Sequence, residues 1–187
     1  MVILFSPGVT AQQYYELEKR NSFPQVHICP NPGCRARDTM WLNGFYQRNV
    51  ITLSMVHRIY VRRARCKRCG ISVAFLPDFA LPRFQYSARI IVATLLLRLV
   101  RGFSLALSEA ALRSRFHEPA TCPSIPLISY YRRRFSHHEQ LVAITALASG
   151  RSLAGCPLVQ AISTSGSVER FSLMYRQATG TDFMSAR

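Results

Sequence analysis

"CPNPGC" at residues 29–34 and "CKRCG" at 66–70 decide how this chain is organised. Cys29 and Cys34 flank a Pro-Asn-Pro-Gly turn, and Cys66 and Cys69 form a second tight pair followed by Gly70. Glycine at such a place lets backbone amides turn towards a thiolate without a Cβ clash. Four thiolates at C-x4-C and C-x2-C spacing can close a tetrahedral shell around one Zn²⁺. A rubredoxin-like iron site has the same geometry, and spacing does not separate the two metals. A thioredoxin-like role for Cys66 and Cys69 lacks the surrounding βαβ pattern. Four sulfurs leave no open position to activate water, so the metal reads as structural. His27 and His57 then read as surface or packing residues, and Cys122 and Cys156 as free thiols.

Between the pairs, "MWLNGFYQRNVITL" (40–53) and "MVHRIYVRRARC" (55–66) are rich in β-branched and aromatic residues. Val56, Arg58, Tyr60 and Arg62 alternate with His57, Ile59, Val61 and Arg63, which is strand periodicity. "LNG" at 42–44 supplies turn chemistry before the first strand. Two knuckles joined by a β-hairpin predict a zinc ribbon over 26–82. Its surface is basic: "RIYVRRARCKR" (58–68) holds Arg58, Arg62, Arg63, Arg65, Lys67 and Arg68 with no acid. Such a run can be a plain solvated face. Phe45, Tyr46 and Tyr60 interleaved with it point to nucleic-acid contact, and Arg48 joins the candidate set.

The whole chain shares this bias. Among 187 residues there are 24 basic and 9 acidic, a net charge of +15, and only Lys19 and Lys67 are lysines. Arginine's planar fork suits bidentate phosphate and guanine contacts, although a GC-rich genome would produce the same excess. Either way the protein should adhere to polyanions. Half the residues are hydrophobic (49%), enough for a packed core. "MVILFSPG" has no basic n-region and does not read as a signal peptide. "IIVATLLL" (90–97) falls far short of the ~20 residues of a membrane span. The expected location is the bacterial cytosol or nucleoid, where paired cysteines favour metal over disulfide.

After the proline-punctuated connector at 76–86, helical periodicity takes over. "SARIIVATLLLRLVRG" (87–102) predicts a mostly buried helix capped by Ser87, with Ser87, Thr94, Arg98 and Arg101 as its polar stripe. "SLALSEAALRSRF" (104–116) and "SIPLISYYRRRF" (124–135) follow, the latter with Ser124 at its cap and Pro126 in its first turn. On the third helix Ile128, Tyr131 and Phe135 share the core face, while Ser129, Tyr130, Arg133 and Arg134 point away. Hydroxyls and guanidinium groups on one helix face suit a major-groove reader. The same pattern also fits a helical bundle with a basic outer face. A helix over 137–150 and a short helix at 167–178 with Val168, Phe171 and Tyr175 on one face complete the chain. At the N-terminus "VILF" predicts a strand and Thr10 caps a helix. The expected fold class is α+β: a strand/helix arm (1–25), a small β zinc ribbon (26–82), an all-α helix-turn-helix-like domain (83–149) and a Ser/Gly/Ala-rich tail (150–187) whose end reads as loose.

This order of parts, "CPNPGC…NGFYQR…YVRRARCKRCG…FLPDFALPRFQYSARIIVATLLL", resembles an uncharacterised bacterial zinc-ribbon/helix-turn-helix family associated with mobile elements. It is also similar to the N-terminal zinc-finger and helix-turn-helix region of insertion-sequence transposases. The resemblance covers roughly residues 26–136. It implies Cys29, Cys34, Cys66 and Cys69 as metal ligands and matches residues 43–48 to a "HGxYxR" element, with Asn43 in place of its histidine. It implies DNA binding. The nine carboxylates are scattered and no tyrosine or serine recombinase pattern appears, so catalysis is not expected here. The expected function is recognition of duplex DNA by an accessory protein or regulator, with a homodimer reading paired half-sites and a protein partner supplying any catalysis. The alternative is a non-catalytic adaptor that binds DNA or RNA non-specifically.

Overall fold

A computed structural model describes residues 1–147 and 155–184. Parts of the tail (150–154 and 185–187) and the end of the helix expected over 137–150 lie outside the described residues. The fold is α+β, with four strands in one sheet and seven α-helices among the described residues. The strands are β1 (Val2–Phe5), β2 (Met40–Ile51), β3 (Val56–Cys66) and β4 (Ser72–Pro77), arranged β1-β4-β3-β2. β2, β3 and β4 pair antiparallel, and β1 lies parallel to β4 at the edge.

The β2–β3 hairpin turns at residues 52–55, where the Thr52 amide and hydroxyl both donate to the Met55 carbonyl at 3.0 and 2.9 Å. This corrects the expected turn at "LNG". That tripeptide lies inside β2 as a bulge: the register slips between Leu42, paired with Ala64, and Phe45, paired with Arg62. Gly44 there has a φ of +68°, a left-handed conformation that glycine adopts without a Cβ clash. The N-G signal is real, and long-range pairing carries the strand through it. β4 carries no alternating strand pattern in its sequence. Its apolar run "VAFL" has little alternation because Val73, Phe75 and Leu76 are all buried.

β3 transfers its burial from one face to the other. His57, Ile59 and Val61 are buried in its first half, and Ala64 and Cys66 in its second, so Arg63 and Arg65 emerge on the face that Val61 buries. α1 (Ala11–Leu17) covers the first half, with a reciprocal cap between Thr10 and Gln13 and with Tyr14 fully buried, its hydroxyl donating to the Tyr60 carbonyl. Much of the proline-punctuated connector after β4 is buried. Phe79, Ala80 and Leu81 are all in the core, and the Ser87 amide donates to the Ile51 carbonyl at 2.9 Å.

α2 (Ala88–Leu99), α3 (Leu105–Arg113) and α4 (Ile125–Ser136) each pack on the other two. α2 is mostly buried, as its composition predicts, but its expected polar stripe is partly inside. Ser87 and Thr94 are buried, and the Thr94 hydroxyl donates to the Ile90 carbonyl at 2.8 Å. A hydroxyl satisfied by the preceding turn can face the core without an orphaned donor. α4 buries Ile128, Tyr131 and Phe135 as its periodicity requires. After α5 (Glu139–Leu147), α6 (Pro157–Ser165) and α7 (Val168–Thr179) close the fold. The described part of the tail is therefore two helices, not one, and it is not loose up to residue 184. Phe171, Tyr175, Phe183 and Met184 are essentially inaccessible, and the Arg176 guanidinium donates to the Val2 carbonyl at 2.8 Å. Sparse long side chains among Ser, Gly and Thr make this segment look weak in composition. Those few are the ones that pack.

Candidate metal centre and basic surfaces

Backbone hydrogen bonds shape both cysteine knuckles. In the first, the Cys34 and Arg35 amides donate to the Asn31 carbonyl, the Asn31 side chain accepts from the Gly33 amide, and the Cys29 amide donates to Ala36. In the second, the Gly70 amide donates to the Cys66 carbonyl at 2.9 Å with Gly70 at a φ of +74°. The Lys67 amide donates to Thr39, tying the second knuckle to the segment that leaves the first.

These loops bring the sulfurs of Cys29, Cys34, Cys66 and Cys69 within 4.8 Å of one another. The Cys29–Cys69 and Cys34–Cys66 separations are 3.7 and 3.9 Å. A tetrahedron with metal–sulfur bonds of about 2.3 Å has edges of about 3.8 Å, so the cluster has the dimensions of a metal shell. Cys29 and Cys66 are buried, Cys34 is half-buried and Cys69 is exposed. Burial, with the neighbouring sulfurs, pushes the Cys29 thiol up to about 12. The Thr39 hydroxyl, 3.2 Å from the Cys66 sulfur, and nearby amides pull Cys66 down to about 6. A site that already favours one thiolate is electrostatically prepared for a cation, which would draw the other protons off. The two histidines stay outside the cluster. His27 is exposed beside Asp38, and His57 is buried with Nε2 3.2 Å from the Thr52 hydroxyl.

The candidate nucleic-acid residues divide into three groups. Arg58, Arg63, Arg65, Lys67 and Arg68 are exposed on β3 and the second knuckle. Arg62 is half-buried with its guanidinium 4.4 Å from the Phe45 ring centre. On α4, Arg133 is exposed, while Ser129, Tyr130 and Arg134 are half-buried. Arg134 donates to the Tyr130 hydroxyl at 2.8 Å and lies over its ring, so these two are partly committed to each other. Arg48 stands apart. Its guanidinium is turned inward, donating to the carbonyls of Leu81 and Phe84, and burial lowers its pKa. Nothing in the local pattern of "FYQRNV" marks that role, because the carbonyls it satisfies lie more than thirty residues away. Arg48→Met should destabilise the fold by about 1–3 kcal/mol through those abandoned acceptors. Its polyanion affinity at a temperature where it is folded should match the parent, and an affinity loss there would return Arg48 to the surface set.

The described ion pairs that use an arginine are Arg89–Glu169, Arg113–Glu109, Arg132–Glu139 and Arg176–Asp182. None involves a β3, second-knuckle or α4 candidate. A cleft of about 1250 Å³ lies elsewhere, its lining including Phe79, Ile90, Leu96 and Leu97. No helix among the described residues is long and apolar enough to cross a membrane.

A family model described as "Domain of unknown function (DUF6431)" matches residues 29–102. The chain is similar to that family from the first cluster cysteine to just beyond α2, a stretch holding all four cysteines and strands β2 to β4. Comparison with curated proteins and with solved structures finds no match.

Proposed function

We propose that this chain is a non-catalytic DNA-binding protein in which one structural zinc ion pins a ribbon-like sheet, and α4 reads the duplex. The observation that supports it best is electrostatic. Among the described residues, Arg58, Arg62, Arg63, Arg65, Lys67, Arg68, Arg133 and Arg134 have no carboxylate at ion-pair distance, and of the arginines only Arg89, Arg113, Arg132 and Arg176 pair with the chain's scarce acids. Unpaired cations on rigid elements are free to displace counterions from a phosphate backbone. The basic strand would position the duplex, and Arg133 with Ser129 would supply base-edge contacts from α4. α2, α3 and α4 in mutual contact form the support that a helix-turn-helix reader uses. The resemblance to mobile-element families makes an accessory protein or regulator the favoured setting.

Selection from random duplex DNA at moderate salt tests the reading, and an enriched motif is expected. Arg133→Ala should relax preference at one or two positions, whereas Arg63→Ala should weaken all sequences evenly and lower the salt slope by about one. Retention without any motif would favour a non-specific adaptor instead.

A further inference from the structure

Two aromatic side chains of β2 and two arginines of β3 share one solvent face next to the cysteine cluster. Trp41 pairs with Arg65 and Tyr46 with Val61, and cross-strand partners lie on the same side of a sheet. On β3, residues 61, 63 and 65 share that side by strand alternation. In an unbroken β2, residues 41 and 46 would fall on opposite sides. The extra residue of the Asn43-Gly44 bulge reverses the alternation and brings both rings to the Arg63/Arg65 face. Trp41 is 44% exposed and Tyr46 37%, and Arg63 and Arg65 are open to solvent. Arg65 is held in place, its Nε donating to the Gly70 carbonyl at 3.1 Å. Gly44 leaves room beside Arg63, whose guanidinium would lie 3.9 Å from a Cβ at that position.

Trp41 is exposed, and it takes part in none of the described ring–ring or cation–ring contacts. Its neighbours are cations without carboxylate partners. A flat apolar ring framed by arginines matches an unpaired nucleobase on a phosphate backbone, with the ring face for the base and the guanidinium groups for flanking phosphates. A duplex keeps its base faces stacked inside and cannot use such a platform. An acidic protein segment would use the arginines but has no general need of a stacking face.

We propose that Trp41, with Arg63 and Arg65 beside it and Tyr46 farther along the same face, is a stacking site for unpaired bases of single-stranded DNA. This inference rests on the nucleic-acid reading above and extends it from duplex to an opened or single strand. Trp41 is the sole tryptophan of the chain, so its fluorescence reports the site directly. Titrating the full-length, zinc-loaded protein with a single-stranded thymidine oligonucleotide of about a dozen nucleotides should quench its emission saturably. Anisotropy of the same labelled oligonucleotide should track the quenching. Trp41→Ala should weaken that strand by roughly 5- to 100-fold while leaving a labelled duplex within about twofold. Trp41→Phe should recover most of the loss. Single-strand binding with unchanged emission, or equal losses for both DNA forms in Trp41→Ala, would overturn the stacking site and leave the duplex reading standing. No binding of either form would overturn both.

Discussion

With zinc in the cysteine cluster as proposed, Cys66→Ser is expected to lose the metal and to melt more than about 10 °C below the parent protein. The cluster accounts for the size of the effect. Structural zinc in small domains contributes an apparent 10–16 kcal/mol or so, as much as the whole stability of a typical fold. Cys66 ends β3 and is buried, so its loss opens the shell where three strands are anchored. A strong chelator should reproduce the shift in the parent and have no further effect on the variant. Metal analysis of the parent should return one ion per chain. Cys122→Ser is the control, since Cys122 is buried in the helical core and belongs to no cluster. Its metal content should be unchanged. Metal retained at full stoichiometry by Cys66→Ser, or a melting temperature indifferent to chelation, would exclude a stabilising metal at this site.

Deleting residues 167–187 should leave a protein that does not fold cooperatively. The deletion removes Phe171, Tyr175, Phe183 and Met184, each essentially inaccessible and part of the core shared with α2 and α4. Truncating one buried aromatic to alanine costs about 3–5 kcal/mol, so losing four large side chains exceeds the 5–15 kcal/mol or so that holds a domain together. The loss also removes the Arg176 contact to the β1 edge and the Glu169 partner of Arg89. Thermal denaturation followed by near-ultraviolet circular dichroism should show no sharp transition. A deletion variant that melts within a few degrees of the parent would mean that the C-terminal helices are accessory. Phe171→Ala provides a graded version, with an expected loss of about 3–5 kcal/mol in chemical denaturation.

Features with local causes were legible in the sequence. Cysteine spacing in turns dictates that four sulfurs can meet. The Thr10 cap follows from a hydroxyl three residues ahead of an amide that needs an acceptor. Ser87 and Ser124 stand at their helix N-termini without the expected side-chain bond, and Ser167, the capping hydroxyl of α7, is not among the expected caps. The core face of α4 follows from the 3.6-residue period, and Ile128, Tyr131 and Phe135 lie on it. What could not be read off depends on partners distant in the chain. The pairing of β2 with β3 decided that Asn43-Gly44 is a bulge rather than a turn, and with it the face on which Trp41 emerges. Backbone carbonyls at Leu81 and Phe84 decided that Arg48 points inward while its neighbours in sequence stay outside. β1 and β4 have too few residues to declare their pairing alone, and α7 is recognisable as a helix without revealing that it completes the core. Local hydrogen bonds and periodicity are written within a few residues of their cause, so the sequence by itself determined the cysteine knuckles, the Thr10 cap and the core face of α4. Register, the destination of a charged side chain and the closure of the core depend on which distant surfaces meet, and only the tertiary structure decided them.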